Sequence, residues 1–337
     1  MQLQKKAAYN LVQLNLEELL KEEEAGFPYH LDEWQKENFR DYSESRLFHD
    51  LVNRGIHLDR IAFEQRAKEF DTPEQMAESI AEHIDNSLVK DHAYLLIFEL
   101  WRRFLPEKQT LSLACDEFDY LIKLYDMKEL KEMTPMIDQL DLLRRILEEN
   151  VDAGLDPKEA FAQVESHSAN GIEDFLYDYI LDLISEGDFE YAGDLIRGFY
   201  PYIRDPRWFD FLKARSLCLT DPEEGLEKLE NVIQDDEHPA NVELNLEMLA
   251  FLANSGNQPL FVELAKPTLS ILQVEEDLTD FSKALLLLYA KIGNVEEKKQ
   301  LLSLIEERSQ IHKNTPLNPT DPDIDKLKKF LSHNLVH

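Results

Sequence analysis

Apolar and polar residues recur along nearly the whole chain with the 3.6-residue period of an amphipathic helix. Phe118, Leu121, Ile122 and Tyr125, for example, fall on one helical stripe, with charged residues between them. No segment shows a convincing run of the two-residue alternation that a half-buried strand produces. The pattern therefore predicts an all-α protein.

Three helix starts carry the same local signal. Each of Thr72-Pro-Glu-Gln75, Asp156-Pro-Lys-Glu159 and Asp221-Pro-Glu-Glu224 begins with a residue whose side chain can cap free backbone amides. Proline suits the first helical position, and Glu or Gln three residues after the cap completes a capping box. Helices are predicted to begin directly after residues 72, 156 and 221.

Turn signals recur at a nearly constant interval in the second half of the chain. They lie at Gly187-Asp188, Thr220-Asp221, Gly256-Asn257 and Gly293-Asn294, at spacings of 33, 36 and 37 residues. Each signal separates two apolar helical segments, which is the pattern of a helix-turn-helix repeat. One such pair cannot bury its apolar face alone, so we expect the pairs to stack into a right-handed solenoid with a concave groove.

These repeats resemble the tetratricopeptide repeat family. The likeness is clearest at Gly187–Ile196, where a Gly-Asp turn, an aromatic residue and the small Ala192 agree with the family pattern. Trp208 opens a first helix as the family's tryptophan does, and we expect it to be buried between adjacent repeats. Gly225 departs from the alanine that the family has in a second helix. The resemblance covers about 171–310 and implies an α-solenoid that binds other proteins.

The predicted organisation is an irregular helical N-terminal domain over residues 1–168, followed by the solenoid over 171–313. Within the N-terminal domain, Tyr94–Phe104 is apolar on nearly all sides, which predicts a central buried helix. Residues 314–337 contain three prolines in seven residues and then one short lysine-bearing helix. This end is predicted to be an extended linker and a C-terminal capping helix.

The chain is strongly acidic throughout. Its 337 residues include 36 Lys plus Arg and 68 Asp plus Glu, a formal net charge of -32, of which each half carries -16. A field of this size repels nucleic-acid phosphates and anionic membranes, and it accelerates the encounter with basic partners. We therefore expect a protein or peptide partner of basic character, with no nucleic acid and no membrane. The alternative interpretation is that the acids only solvate the outer helix faces.

Cysteine usage and hydropathy favour a reducing, aqueous compartment. Cys115 and Cys218 are the only cysteines, and they lie too far apart for a disulfide framework or a zinc motif. The longest purely apolar run after the N-terminal segment, Ala284–Ala290, is much shorter than a membrane span requires. A cytoplasmic location is expected.

No common catalytic or nucleotide-binding motif occurs in the sequence, and glycine supplies only 10 residues for phosphate-binding loops. We expect no cofactor, no metal and no catalytic residue. The alternative is a helical metal-dependent hydrolase of the HD type, with the solenoid as a regulatory domain, because adjacent His and Asp side chains can hold a metal. Its candidate residues are His30, His49, Asp50, His57, Asp85, Asp91 and Asp116.

The preferred interpretation is an interaction scaffold or adaptor, whose partner segment lies in the solenoid groove. The groove is expected to be lined by first-helix residues that do not pack on the next repeat. These candidates are Asp174, Tyr177, Phe209, Lys213, Glu243, Leu246, Asp280 and Lys283. Glu243 and Asp280 are expected to contact the basic partner, and Lys213 and Lys283 to orient its carboxylates or carbonyls. Oligomeric state is left open.

Overall fold

The computed structural model describes residues 31–235, 240–318 and 320–333, together with scattered positions between 12 and 26. All regular structure in these ranges is helical. The only extended pairing found there is an isolated antiparallel bridge between Val274 and Pro316. The predicted all-α class is confirmed.

The chain forms two compact units, Met1–Arg204 and Asp205–His337. In the first unit, short 3-10 helices at Glu33–Lys36 and Phe39–Asp41 precede the following α-helices. These are α1 (Glu44–Asn53), α2 (Arg60–Ala67), α3 (Pro73–Ile80), α4 (Ser87–Phe104), α5 (Leu111–Asp126), α6 (Thr134–Asp152), α7 (Pro157–Glu165), α8 (Ile172–Glu186) and α9 (Phe189–Phe199).

The second unit contains three helix pairs and a final helix in its described part. They are α10 (Arg207–Thr220) with α11 (Pro222–Ile233), α12 (Val242–Ser255) with α13 (Gln258–Thr268), α14 (Glu275–Ile292) with α15 (Val295–Arg308), and α16 (Pro322–His333). The pair α8–α9 belongs to the first unit, so the division between the two units falls later in the chain than residue 170. The domain boundary near residue 170 stays a prediction.

Helix α4 is the centre of the first unit, as its apolar sequence predicts. Every residue from His92 to Trp101 is buried, and α1 and α3 both pack against this helix. Leu47 of α1 and Met76 of α3 are fully buried in the same core. Burial on all sides explains why this segment lacks the polar face of its neighbours.

The predicted caps and turns are confirmed. Thr72, Asp156 and Asp221 each accept hydrogen bonds from backbone amides in the first turn of the helix that follows. Gly187 and Gly256 end α8 and α12 in the left-handed conformation, with φ of 87° and 75°. This conformation costs glycine little, and it reverses the chain so that the next helix packs back on the first.

In the second unit, first helices pack on first helices. Helix α12 contacts both its own second helix, α13, and the next first helix, α14, which in turn contacts α15. The rings of Phe211 on α10 and Phe251 on α12 meet edge to face, 5.9 Å apart. These contacts between helix pairs are compatible with the stacking that a repeat of 33 to 37 residues predicts, and the solenoid itself stays a prediction.

Helices α10 and α11 approach very closely at Gly225. A methyl group at this position would lie 2.3 Å from the backbone nitrogen of Cys218 and 2.7 Å from the carbonyl carbon of Leu217. Gly225 stands where the tetratricopeptide pattern has alanine, and the reason is steric, because the backbones of the two helices are in direct contact at this position.

The expectation that Trp208 is buried between repeats is met only in part. Trp208 is only partly buried, whereas Phe209 and Phe211 are 1% and 0% exposed. The helix is rotated so that these phenylalanines and Leu212 face the core, and the large indole lies at its margin. Three aromatic residues in four positions left this rotation ambiguous in the sequence.

The proline-rich segment is ordered along the start of α14. The Glu275 amide donates to the Thr315 carbonyl at 3.0 Å, and the Leu317 amide donates to the Gln273 carbonyl at 2.8 Å. Helix α16 then packs on α13, and the Tyr289 hydroxyl of α14 donates to the Phe330 carbonyl at 2.9 Å. The proline-rich segment is extended, as predicted for a linker. Its backbone is hydrogen-bonded to the residues that precede and begin α14.

Arg308 joins three helix ends in this region. Its guanidinium bonds Glu275 through two nitrogens, both at 2.6 Å, and also bonds Asp321 at 3.0 Å and Asp323 at 2.8 Å. Arg308 and Glu275 are largely buried. The pairing raises the pKa of Arg308, chiefly through its hydrogen bonds to Glu275, so the cation is fixed at all relevant pH values.

Candidate functional site

Helices α12 and α14 each keep a set of residues exposed to solvent. On α12, Glu243 and Glu247 are exposed and lie one turn apart, and Leu246 beside them is partly exposed. On α14, the exposed or partly exposed positions Glu276, Asp280, Lys283 and Leu287 follow one helical stripe. Helices α12 and α14 pack side by side, and we call their exposed residues, which are of mixed charge, the first-helix surface.

Lys283 and Asp280 are the two candidate residues that the structure joins directly. The Lys283 ammonium lies 2.8 Å from the Asp280 carboxylate, one turn away on α14. Both side chains remain open to solvent, so the pair contributes only a few tenths of a kcal/mol to the helix. Either group can exchange this partner for an incoming charge at small cost.

Leu287 adds an apolar position that sequence reasoning missed. It is 38% exposed and lies one turn after Lys283. Its signal in the sequence is hidden, because it stands within a continuous run of four leucines, of which Leu285 and Leu288 are fully buried and Leu286 is partly buried.

Lys213 of α10 is exposed, as expected for a groove residue, but Phe209 is not. With 1% of its surface exposed, Phe209 packs in the core and is unable to touch a partner. The assignment of Phe209 to the groove is therefore corrected. The cause is the same helix rotation that leaves Trp208 at the margin.

Asp174 and Tyr177 lie on α8 in the first unit, Asp174 exposed and Tyr177 partly buried. Two further exposed acids, Asp178 and Asp182, continue from Asp174 at four-residue steps, so they form one acidic stripe. Loss of solvent raises the pKa of Asp178, and Asp182, Asp174 and Asp126 raise it further by repulsion. The four-residue spacing in the sequence is the signal that identifies the stripe.

The residues of the hydrolase alternative do not assemble. The His49 side chain is 71% exposed and lies 3.4 Å from the neighbouring Asp50 carboxylate. Across the described ranges, no group of three His, Cys, Asp or Glu side chains is placed to hold a metal ion. His30 lies outside the described residues. Asp116 instead pairs with Arg40 at 2.6 Å.

A groove of about 420 Å³ lies between α15 and α16. Its lining consists of Gln300, Ser303, Leu304, Glu307, Lys326, Lys329 and Phe330. Two of the polar groups already have local partners: Ser303 donates to Glu307 at 3.0 Å, and Lys326 bonds Asp323 at 2.7 Å. We assign no chemistry to this groove.

Comparison of the chain with protein-family models, with curated proteins and with solved structures gives no match. Among the helices that the structure describes, none combines the length and the apolar character needed to cross a bilayer.

Proposed function

We propose that the protein is an interaction scaffold of the cytoplasm that binds a basic peptide or protein segment on the first-helix surface. In this proposal the stacked helix pairs form a solenoid similar to that of tetratricopeptide repeats. The observation that supports it is the side-by-side packing of α12 and α14, together with the solvent exposure of Glu243, Asp280 and Lys283 on these two helices.

The residues on this face define the partner's chemistry. Exposed carboxylates at Glu243, Glu247 and Glu276 favour Lys or Arg in the bound segment, and Leu287 favours an apolar residue beside them. Lys283 can turn from Asp280 toward a carbonyl or carboxylate of the partner. A segment that alternates basic and apolar side chains meets all of these requirements.

The net charge of -32 supports the same partner through long-range attraction. Attraction between the whole protein and a basic segment raises the association rate, and salt screens it over about 10 Å at 0.1 M. We expect the association rate constant to fall steeply between low and physiological salt, while the dissociation rate constant changes less. A rate constant that does not respond to salt would contradict electrostatic steering.

Charge reversal tests whether the first-helix surface is the binding site. Peptides are first selected from a random display library on the full-length protein, and the tightest is used as the probe. Glu243→Lys combined with Asp280→Lys should weaken its binding about 100-fold or more, because close charge pairs across an interface contribute roughly 1.5 kcal/mol or more each, or about 3 kcal/mol for two.

The matched control is Glu227→Lys with Glu296→Lys. These two exposed glutamates lie on the second helices α11 and α15, and the double variant has the same net charge as the test variant. The control should reduce binding only slightly, and circular dichroism verifies that both variants fold. Equal losses in the two variants would show that diffuse charge alone attracts the peptide, and selection of acidic peptides would contradict the proposed partner class.

A further inference from the structure

His92 is buried inside the first unit beneath a short N-terminal segment. It lies on α4 with 3% of its surface exposed. The Trp34 ring stacks on the imidazole at a centroid distance of 4.3 Å and an angle of 4°, and Phe39 meets it edge-on at 5.7 Å. Trp34 belongs to the 3-10 helix Glu33–Lys36, so this short helix covers the histidine.

Arg54 determines which imidazole nitrogen carries the proton. Its Nε and Nη2 lie 3.0 and 2.8 Å from His92 Nδ1, and because a guanidinium only donates, Nδ1 must be the acceptor. The proton of the neutral ring is therefore on Nε2. This nitrogen is buried, and the described residues offer it no acceptor.

The charged groups around His92 come from two elements besides its own helix. Arg46, Asp50 and Arg54 belong to α1 and its C-terminus, and Asp32 and Glu37 flank the 3-10 helix on its two sides. Burial is the main cause that lowers the pKa of His92 to about 4, and Arg54 and Arg46 lower it further, against the opposite effect of Asp50 and Asp32.

We propose that Trp34, His92 and Arg54 form an acid-sensitive switch, in which protonation of His92 releases residues 31–36 from α4. An imidazolium no longer accepts from Arg54, and it places a ring N–H against two guanidinium N–H groups. Both ring nitrogens then need acceptors, and the described residues supply none to Nε2, so water must reach it. Displacement of Trp34 gives water its access.

The 3-10 helix moves because it is the less firmly held element. Helix α4 has 18 residues and a continuous buried stretch, whereas the 3-10 helix has four. The next part of the chain is fixed, since Arg103 donates to the Tyr42 and Arg40 carbonyls at 2.7 and 3.0 Å. Glu37 is also tied to the Tyr42 hydroxyl and to Arg46. The release therefore stops before residue 37.

The direction of the pH effect follows from proton binding. In the released state His92 has an ordinary pKa near 6.5, and in the closed state its pKa is lower, so only the released state gains a proton between these values. The closed state is fully favoured above pH 6.5. Below it, the equilibrium for release rises by up to about tenfold per pH unit until the lower pKa is reached.

Hydrogen exchange of the full-length protein, read by mass spectrometry, tests the switch. Between about pH 7.5 and about pH 5, protection of residues 31–36 should fall about tenfold or more after correction for the intrinsic exchange rate. Residues 111–126 of α5 should keep their protection. His92→Gln, which can still accept from Arg54 but gains no proton, should remove the response.

Two further variants complete the experiment. His49→Gln replaces an exposed histidine on α1 and should leave the response intact, and Arg54→Met removes the repelling cation and should weaken it. The Arg54 variant also tests the switch if His92→Gln fails to fold. The proposal is overturned if residues 31–36 stay protected at low pH, if a folded His92→Gln or Arg54→Met protein responds as the wild type does, or if every helix loses protection together.

Discussion

A methyl group added at Gly225 would collide with the backbone of the partner helix. Gly225→Ala places a carbon 2.3 Å from the Cys218 nitrogen and 2.6 Å from its Cα. These are backbone atoms inside α10, so no side-chain rotation relieves the overlap. Helices α10 and α11 must therefore move apart along their whole contact.

The expected cost is about 2 kcal/mol of unfolding free energy. Overpacking of a close interface costs roughly 1 to 3 kcal/mol, and rigid backbone obstacles place this case at or above the upper end. Replacement of glycine inside a helix returns about 1 kcal/mol through its better helix propensity. Gly193→Ala in α9 is the matched control, because its methyl group meets only the end of the Arg197 side chain at 3.3 Å.

Urea unfolding followed by circular dichroism measures both variants, with hydrogen exchange of residues 207–233 as the local readout. Gly225→Ala should lower the unfolding midpoint of its unit and the protection of α10 and α11. Gly193→Ala should be neutral or stabilise the protein by up to about 1 kcal/mol. If Gly225→Ala is as stable as the wild type, the close helix contact does not exist in solution.

Two further substitutions test the second unit. Phe211→Ala removes a side chain with no exposed surface and should lower the free energy of unfolding by about 3 to 5 kcal/mol. Trp208→Ala, at the margin of the helix contact, should lower it by less than about 2 kcal/mol. If urea unfolding gives the reverse order, the described rotation of α10 is contradicted. Arg308→Gln leaves Glu275, Asp321 and Asp323 without their cation and should cost about 3 kcal/mol at neutral pH. Burial raises the pKa of Asp323, but hydrogen bonds from Lys326 and Arg308 outweigh it and hold this pKa below its usual value. The loss should therefore shrink in acid as Asp323 protonates, and a pH-independent loss in thermal unfolding would argue against charge as its cause.

The helical architecture could be predicted because its signals are local. The caps at Thr72, Asp156 and Asp221 and the turn glycines Gly187 and Gly256 act within a few residues, so the sequence alone places the helix ends near them. The rotation of α10 depends on which of several adjacent aromatic residues faces the neighbouring pair. That choice is made by tertiary packing, which periodicity does not report.

The candidate site was predictable in part for the same reason. Lys213, Glu243 and Lys283 are exposed because charged residues on one helical stripe avoid the core. Phe209 was misplaced because an aromatic residue suits a binding face and a core equally well. The environment of His92 was hidden entirely, since Trp34 and Arg54 reach it from positions 58 and 38 residues away in the sequence.

Arg308 couples the opening of helices α14, α15 and α16. Here one guanidinium joins the start of α14, the end of α15 and the approach to α16, so none of these can leave without exposing buried charge. Residues 275–308 and 322–333 should therefore open as a single cooperative unit. Their amides should share one free energy of opening in hydrogen exchange, and this free energy should not decrease step by step toward α16.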